Sequence, residues 1–266
     1  MMQYAYLVIE GPHDVEFIGR FLKLKGFSRI RMMSELDEFW LRLVPREFPF
    51  AGDLLRRMPV PIFFKSATHS IALHSAIGDS NIIRTIRGTL AITSWEANSL
   101  VGLGIVMDAD SDISPKERFE NIKKGLQHLN FMSELPKLPG EVALGNPHCG
   151  LFIMPDNQSA GTLEDLLLEC AEQAYPSLLQ CTENFLNCVE PIITQFQKNE
   201  RRDFEKPAGR KKVSVGCIAN VLRPGKSVQV SIQDNRWVTS ETMKLSNIAL
   251  FEQFLQNLLS LNEPNK

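Results

Sequence analysis

The fold of this chain is decided by one stretch, Val101-Gly102-Leu103-Gly104-Ile105-Val106-Met107-Asp108-Ala109-Asp110. An unbroken run of apolar residues and glycines is typical of a strand that is buried on both faces of a parallel sheet. The run passes directly into two aspartates, and residues 115–129 then follow with helical spacing. A strand followed by a helix is the unit from which parallel sheets are built.

Other segments repeat this order of strand and helix. Residues 4–9 form an apolar run that ends at Glu10, and Gly11 and Pro12 then open a helix to about residue 25. Strand patterns recur at 60–76 and at 151–154, each followed by a helical pattern. We therefore predict an α/β fold with a mainly parallel sheet flanked by helices in residues 1–172, an insertion near 34–58, and a helical C-terminal extension in 173–266.

Composition bounds the class of protein. Of the 266 residues, 44% are hydrophobic and 23% are charged, which is typical of a globular chain. The five cysteines are scattered and odd in number, so they predict neither a disulfide framework nor a zinc site. The first apolar run is interrupted by Glu10 and is too short to cross a membrane. We expect a cytoplasmic protein with no membrane partner.

Acidic residues stand where the predicted strands end. Glu10 ends the first strand, Asp108 and Asp110 follow the 101–107 strand, and Glu164 opens the helix after the last strand. The carboxyl ends of parallel strands share one edge of a sheet, and residues two apart in a strand point to one side. Carboxylate oxygens are the ligands that Mg²⁺ prefers in proteins. These four acids are therefore our candidate ligands for Mg²⁺ or Mn²⁺.

Each acid also has a structural interpretation. Asp14 lies in a first helical turn, Asp112 suits a turn, and Asp165 lies three residues after Thr162, where it would complete a helix cap. We keep these three as secondary metal candidates. Residues 114–117, Ser-Pro-Lys-Glu, already form a capping box, which leaves Asp108 and Asp110 without a predicted capping role.

Basic residues are concentrated in one region. Between Lys198 and Lys212 there are seven basic residues against three acidic ones, although the net charge of the chain is −2. Such a run is suited to contact phosphate, and Arg210, Lys211 and Lys212 are the candidates for that role. The alternative interpretation is a solvated linker around Pro207 and Gly209.

Two motifs together resemble the Toprim superfamily, the metal-binding module of topoisomerases, primases and the overcoming-lysogenization-defect nucleases. They are residues 7–14, Leu-Val-Ile-Glu-Gly-Pro-His-Asp, and residues 105–110, Ile-Val-Met-Asp-Ala-Asp. Residues 161–165, Gly-Thr-Leu-Glu-Asp, resemble an additional acidic motif of the nuclease branch, and Lys211 or Lys212 resembles its phosphate-stabilising lysine. The layout is also similar to small bacterial Toprim-related proteins.

The resemblance implies Mg²⁺- or Mn²⁺-dependent phosphodiester chemistry on nucleic acid, as in a nuclease. Glu10 would be a metal ligand or a general acid or base, Asp108 and Asp110 would hold the cation, and Glu164 would hold a second one. Catalytic assistance would come from Lys211 or Lys212. One alternative is a non-catalytic metal- or nucleic-acid-binding module that acts with a partner protein or as a homo-oligomer. A more distant one is a nucleotide-sugar glycosyltransferase with a DxD motif, in which Glu10 and Gly11 would have no role.

Overall fold

One seven-stranded sheet organises residues 2–47, 60–93, 95–111 and 113–261, which are the residues that the computed structural model describes. Asp112 and the later part of the predicted insertion lie outside this set. The strands are β1 (Gln3–Ile9), β2 (Ser28–Arg29), β3 (Ile62–Lys65), β4 (His69–Ser75), β5 (Gly102–Asp108), β6 (Val142–Ala143) and β7 (His148–Met154).

The sheet is mixed. Its order is β2-β3-β4-β1-β5-β7-β6, in which the four central strands β4, β1, β5 and β7 run parallel. The outer strands β2 and β3 at one side of the sheet and β6 at the other pair antiparallel with their neighbours. The connection from β3 to β4 spans only residues 66–68, and a link this short can join antiparallel strands but not parallel ones. The predicted α/β class is confirmed, with parallel pairing at the centre of the sheet and antiparallel pairing at its edges.

Helices cover both faces of this sheet. Pro12 and Pro115 each occupy the first position of a helix, where a missing N–H costs no hydrogen bond, and the Ser114 hydroxyl accepts the Glu117 N–H at 3.2 Å. No described helix is long and apolar enough to cross a membrane. The helices are α1 (Pro12–Leu24), α2 (Ile82–Thr93), α3 (Pro115–Gln127), α4 (Leu163–Ala174), α5 (Pro176–Val189), α6 (Lys198–Arg201), α7 (Gly209–Leu222), α8 (Val228–Asp234) and α9 (Ser246–Leu259).

The core lies in two layers, one on each face of the sheet. On one face, alternate strand residues such as Leu7 and Phe152 pack with α1, α4, α7, α8 and α9. On the other face, Val8 and Ile105 pack with α2, α3 and the 3-10 helix Glu38–Leu43, whose Trp40 is fully buried. The described part of the C-terminal extension, residues 173–261, consists of helices joined by turns, and its helices share their core with the sheet.

Glycines in the central strands let α9 approach the sheet closely. A Cβ atom on Gly102 would lie 2.4 Å from the Leu258 carbonyl oxygen, and one on Gly104 would lie 2.4 Å from the Leu258 side chain. A side chain of any size at Gly102 would therefore collide with the backbone of α9. The glycines in the stretch that predicts the central strand also set the distance between sheet and helix.

Replacing Gly102 with alanine should lower the free energy of unfolding by about 2 kcal/mol or more, because the added methyl group must displace the backbone of α9. The matched control is Gly88→Ala, an exposed position in α2 where an added Cβ has no neighbour within 4 Å. That change should instead stabilise the helix by about 0.5–1 kcal/mol. Urea titrations of both variants test the packing, and equal effects would contradict it.

Candidate functional site

The carboxyl ends of β4, β1 and β5 bring acidic residues to one edge of the sheet. Glu10 follows β1, Asp108 is the last residue of β5, and Asp79 lies shortly after β4 in the 3-10 helix Asp79–Asn81. Two further acids come from the first turns of helices that start at this edge, Asp14 in α1 and Glu164 in α4. Parallel pairing of the three strands is what places these groups side by side.

Hydrogen bonds hold three of these carboxylates in place. The Asp108 N–H donates to Glu10 Oε2 at 3.1 Å, and the Leu163 N–H donates to Asp108 Oδ1 at 2.9 Å. The Thr162 hydroxyl donates to Glu164 Oε2 at 2.8 Å. Asp108 thus accepts from the first N–H of α4, a structural role that the sequence did not predict for it. The reason is tertiary, because α4 begins 55 residues after Asp108.

Asp14 is the most deeply placed of the acids. Its exposed fraction is 6%, and its Oδ1 has no hydrogen-bond partner among the described residues. A buried acceptor without a partner is costly unless a ligand or a proton satisfies it. Asp14, a secondary candidate from the sequence, is therefore central to the site.

The four inner acids, Glu10, Asp14, Asp108 and Glu164, share one cleft of about 200 Å³ with His13 and Lys212. Among the described residues, no three His, Cys, Asp or Glu side chains already stand in a geometry that holds a metal ion. The donor chemistry nevertheless fits a hard divalent cation, since the acids offer carboxylate oxygens and Mg²⁺ commonly binds through one or two carboxylates and several waters. The unsatisfied Oδ1 of Asp14 is the observation that favours a bound cation here.

Burial and mutual repulsion make these acids hard to ionise together. Burial, and then the charges of Glu10 and Glu164, raise the pKa of Asp14 to about 7. Burial, followed by Asp14 and Glu10, raises the pKa of Asp108 well above its ordinary value. Burial likewise raises the pKa of Glu10, although the hydrogen bond from the Asp108 N–H opposes this. Without a counter-charge, the cleft therefore favours bound protons.

Asp110 lies beyond the end of strand β5, where the chain turns, and its charge still acts on Glu10, whose pKa is raised mainly by burial and further by Asp110. Strand β5 ends at Asp108, and Asp110 has a positive φ of 57°. The Ala109 N–H donates to the Met154 carbonyl at 3.0 Å and the Asp110 N–H to the Gly161 carbonyl at 2.9 Å, so the chain turns toward the connection between β7 and α4. The two-residue strand spacing therefore does not hold here. The carboxylate of Asp110 instead accepts a hydrogen bond from Arg118, at 2.9 Å.

The basic candidates separate into three environments. Arg210 pairs with Glu183 on α5, at 2.5 Å, and with Glu190, the residue that follows α5. Lys211 pairs with Asp165 at 2.6 Å, and Asp165 also accepts the Thr162 N–H at 2.9 Å, as its capping interpretation predicts.

Lys212, in contrast, has no acidic partner within 4 Å among the described residues. It lines the acid cleft and also a neighbouring cleft of about 830 Å³, whose wall includes Lys206 and Lys211. Of the three predicted phosphate contacts, the structure brings Lys212 and Lys211 to the site and directs Arg210 toward α5.

Sequence reasoning missed three residues at this edge, Asp79, Arg118 and His13, as site members. Asp79 has a detectable signal, because it follows Gly78 after a strand that neighbours β1. His13 lies within the quoted motif, and burial lowers its pKa, an effect that Glu164 opposes and Lys212 reinforces. Arg118 has no such signal, since it looks like an ordinary helical residue.

Fold and site define an α/β protein with a buried carboxylate cluster at the carboxyl end of its parallel strands. The chain belongs to the family described as "Protein of unknown function (DUF3226)", whose model matches residues 4–260. It is similar in fold to the crystal structure of hypothetical protein PH0156 from Pyrococcus horikoshii OT3, with a TM-score of 0.56 and 19% sequence identity over 98% of each chain. No curated protein matches the sequence.

Replacing Asp14 with asparagine should stabilise the metal-free protein more at alkaline than at acidic pH. The pKa of Asp14 rises from 3.8 to about 7 on folding, so its contribution to stability is fully present below pH 3.8 and is lost as the pH rises through 7. The gain of the variant over the wild type should grow between about pH 5 and about pH 8, by at most about 3 kcal/mol.

Thermal melts in EDTA measure this difference, and Asp156→Asn is the matched control. Burial alone would raise the pKa of Asp156, but hydrogen bonds from Ser159 and Gln158 hold that pKa below its ordinary value. Because Asp156 is ionised at both pH values, its effect should not change between them. A pH-independent effect of Asp14→Asn would contradict the assignment of a protonated acid.

Proposed function

We propose that this protein carries out Mg²⁺- or Mn²⁺-dependent phosphodiester chemistry on nucleic acid, as a nuclease-like protein of the Toprim kind. The observation that carries the proposal is the convergence of four inner acids on one cleft, with the buried Oδ1 of Asp14 lacking a partner. Acids held so close together are unfavourable for folding alone, which is typical of a functional site. The two motifs that resemble the Toprim superfamily, residues 7–14 and 105–110, contain Glu10, Asp14 and Asp108, which supports the same proposal.

The inner acids would hold the cation through Asp14, Asp108 and Glu164. A bound divalent cation would neutralise negative charge that develops on the phosphate during displacement. Glu10 stands beside them with one oxygen fixed by the Asp108 N–H at 3.1 Å. Since burial raises its pKa, Glu10 is suited to donate or accept a proton near neutral pH.

The neighbouring cleft supplies a path for a negatively charged chain. Its wall carries three lysines, Lys206, Lys211 and Lys212. The cleft borders the acids at Asp110 and at Thr162, whose hydroxyl donates to Glu164. Lys206 is paired with Asp203 at 2.6 Å and Lys211 with Asp165. Lys212 is therefore the lysine best placed to contact a phosphate beside the cation, while Lys206 and Lys211 shape the wall.

Replacing Asp108 with asparagine should separate metal binding from folding. Asparagine keeps an oxygen that can accept the Leu163 N–H but loses the negative charge. In EDTA the variant should melt at the same or a higher temperature than the wild type, because repulsion among the inner acids is relieved. Stabilisation by Mn²⁺ should disappear, and Mn²⁺-dependent cleavage of plasmid or single-stranded DNA should fall by on the order of 100-fold or more.

The control is again Asp156→Asn, which should keep both the Mn²⁺ stabilisation and the cleavage. An Asp108→Asn protein that melts lower in EDTA yet keeps its full response to Mn²⁺ would contradict the metal assignment. Wild-type protein that is stabilised by Mn²⁺ but cleaves neither RNA nor DNA would instead indicate a binding module without turnover.

Replacing Lys212 with glutamine should weaken binding to a polynucleotide and reduce its dependence on salt. Each phosphate contact releases about one counterion, so the slope of log K against log salt should fall by about 0.7–0.9. Fluorescence anisotropy with a labelled oligonucleotide measures the slope. Lys226→Gln removes the same charge from an exposed position that lines neither cleft, and its slope should match the wild type. Equal slopes for all three proteins would place Lys212 outside the interface.

A further inference from the structure

The buried side chain of Arg118 donates three hydrogen bonds at this edge of the sheet. The residue is 7% exposed, and all three guanidinium nitrogens are engaged. Nε donates to the Ala109 carbonyl at 3.0 Å, one terminal nitrogen donates to Asp79 Oδ2 at 2.9 Å, and the other donates to Asp110 Oδ2 at 2.9 Å. Because the guanidinium group is planar and rigid, these bonds fix the positions of Asp79 and Asp110 relative to each other.

The strand order explains which parts of the sheet Arg118 joins. Asp79 follows β4 and Asp110 follows β5, and these strands lie on either side of β1, whose end carries Glu10. Arg118 thus links the two strands that flank Glu10. The acids at this edge form two sets, an outer pair (Asp79 and Asp110) that shares Arg118 and the four inner acids that line the cleft.

The two sets differ in burial and in what balances their charge. The side chains of Asp79 and Asp110 are 49% and 45% exposed, and both already contact a fixed positive charge. Among the inner acids, Asp14 is 6% exposed and its Oδ1 has no described partner. A divalent cation on the outer pair would have to strip a buried guanidinium of its partners, which is strongly unfavourable. A cation on the inner acids would meet Lys212 in the wall of the cleft, but Lys212 forms no ion pair with any described acid and would not have to be stripped of partners.

We infer that Arg118 is the resident cation of Asp79 and Asp110, and that it limits this edge of the sheet to one divalent cation, held by the inner acids. The inference rests on the proposed function and deepens it, because it fixes the number of metal ions and removes Asp110 from their ligands. Arg118 is a positioning residue. It holds the turn after β5 through the carbonyl of Ala109, the residue next to Asp108.

The experiment compares two matched substitutions two residues apart, Asp108→Asn and Asp110→Asn, in the full chain. Isothermal titration with Mn²⁺ alone gives the number of bound ions and their affinity. The wild type should bind one Mn²⁺. Asp110→Asn should still bind one, with an affinity changed by less than about threefold, whereas Asp108→Asn should lose more than about 100-fold.

Removing the guanidinium charge tests the role of Arg118 directly. Arg118→Gln should bind a second, weaker Mn²⁺ at the outer pair, and adding Asp110→Asn to it should abolish that second ion. Circular dichroism shows whether Arg118→Gln folds, and if it does not, the comparison of Asp108→Asn with Asp110→Asn decides.

The outcomes separate this inference from the proposed function. Two Mn²⁺ ions on the wild type, or loss of binding in Asp110→Asn, would overturn the role of Arg118 and leave the proposed function standing. A wild-type chain that binds no Mn²⁺ would overturn both. A folded Arg118→Gln protein that still binds only one Mn²⁺ would show that Arg118 does not limit the number of bound ions, and would overturn the inference.

Discussion

The parallel pairing of β1 between β4 and β5 is the interaction on which the rest of this structure depends. It creates the two apolar layers, because each central strand presents alternate residues to helices on either face. The same pairing aligns the ends of the three strands, so that Glu10, Asp79 and Asp108 are neighbours although they lie far apart in the chain. Stability and site therefore arise from one arrangement, with the hydrophobic layers offsetting the cost of gathering the acids.

Repulsion among acids is managed in two ways at this edge. The outer pair is half-exposed and shares the buried guanidinium of Arg118. Lys212 lines the cleft of the inner acids without pairing with any of them, and these acids are held by backbone N–H donors and by the Thr162 hydroxyl, with raised pKa values at Asp14, Asp108 and Glu10. A carboxylate with a raised pKa can exchange its proton for a metal ion, which is the exchange that the proposed function requires of this cluster.

Ion pairs also balance most of the basic residues of the 198–212 region. Asp165 both accepts the Thr162 N–H and pairs with Lys211, so one carboxylate joins the start of α4 to α7. Arg210, on the same helix as Lys211, pairs with Glu183 on α5 and with Glu190 just after it. Local ion pairs thus account for most of the basic run, and its positive charge is less available to a polynucleotide than its composition indicates.

The sequence by itself determined the α/β class, the strands that end at Glu10 and Asp108, and the cap at Ser114. These features follow from local periodicity and from residues close together in the chain. Only the tertiary structure decided that Asp14 is buried beside Asp108 and Glu164, that Asp110 lies where the chain turns and that Arg118 joins it to Asp79, because these positions depend on which strand ends and helix starts become neighbours. The antiparallel pairing at the edges of the sheet likewise depends on which strands become neighbours. The hydrophobic pattern of one strand does not specify its neighbour.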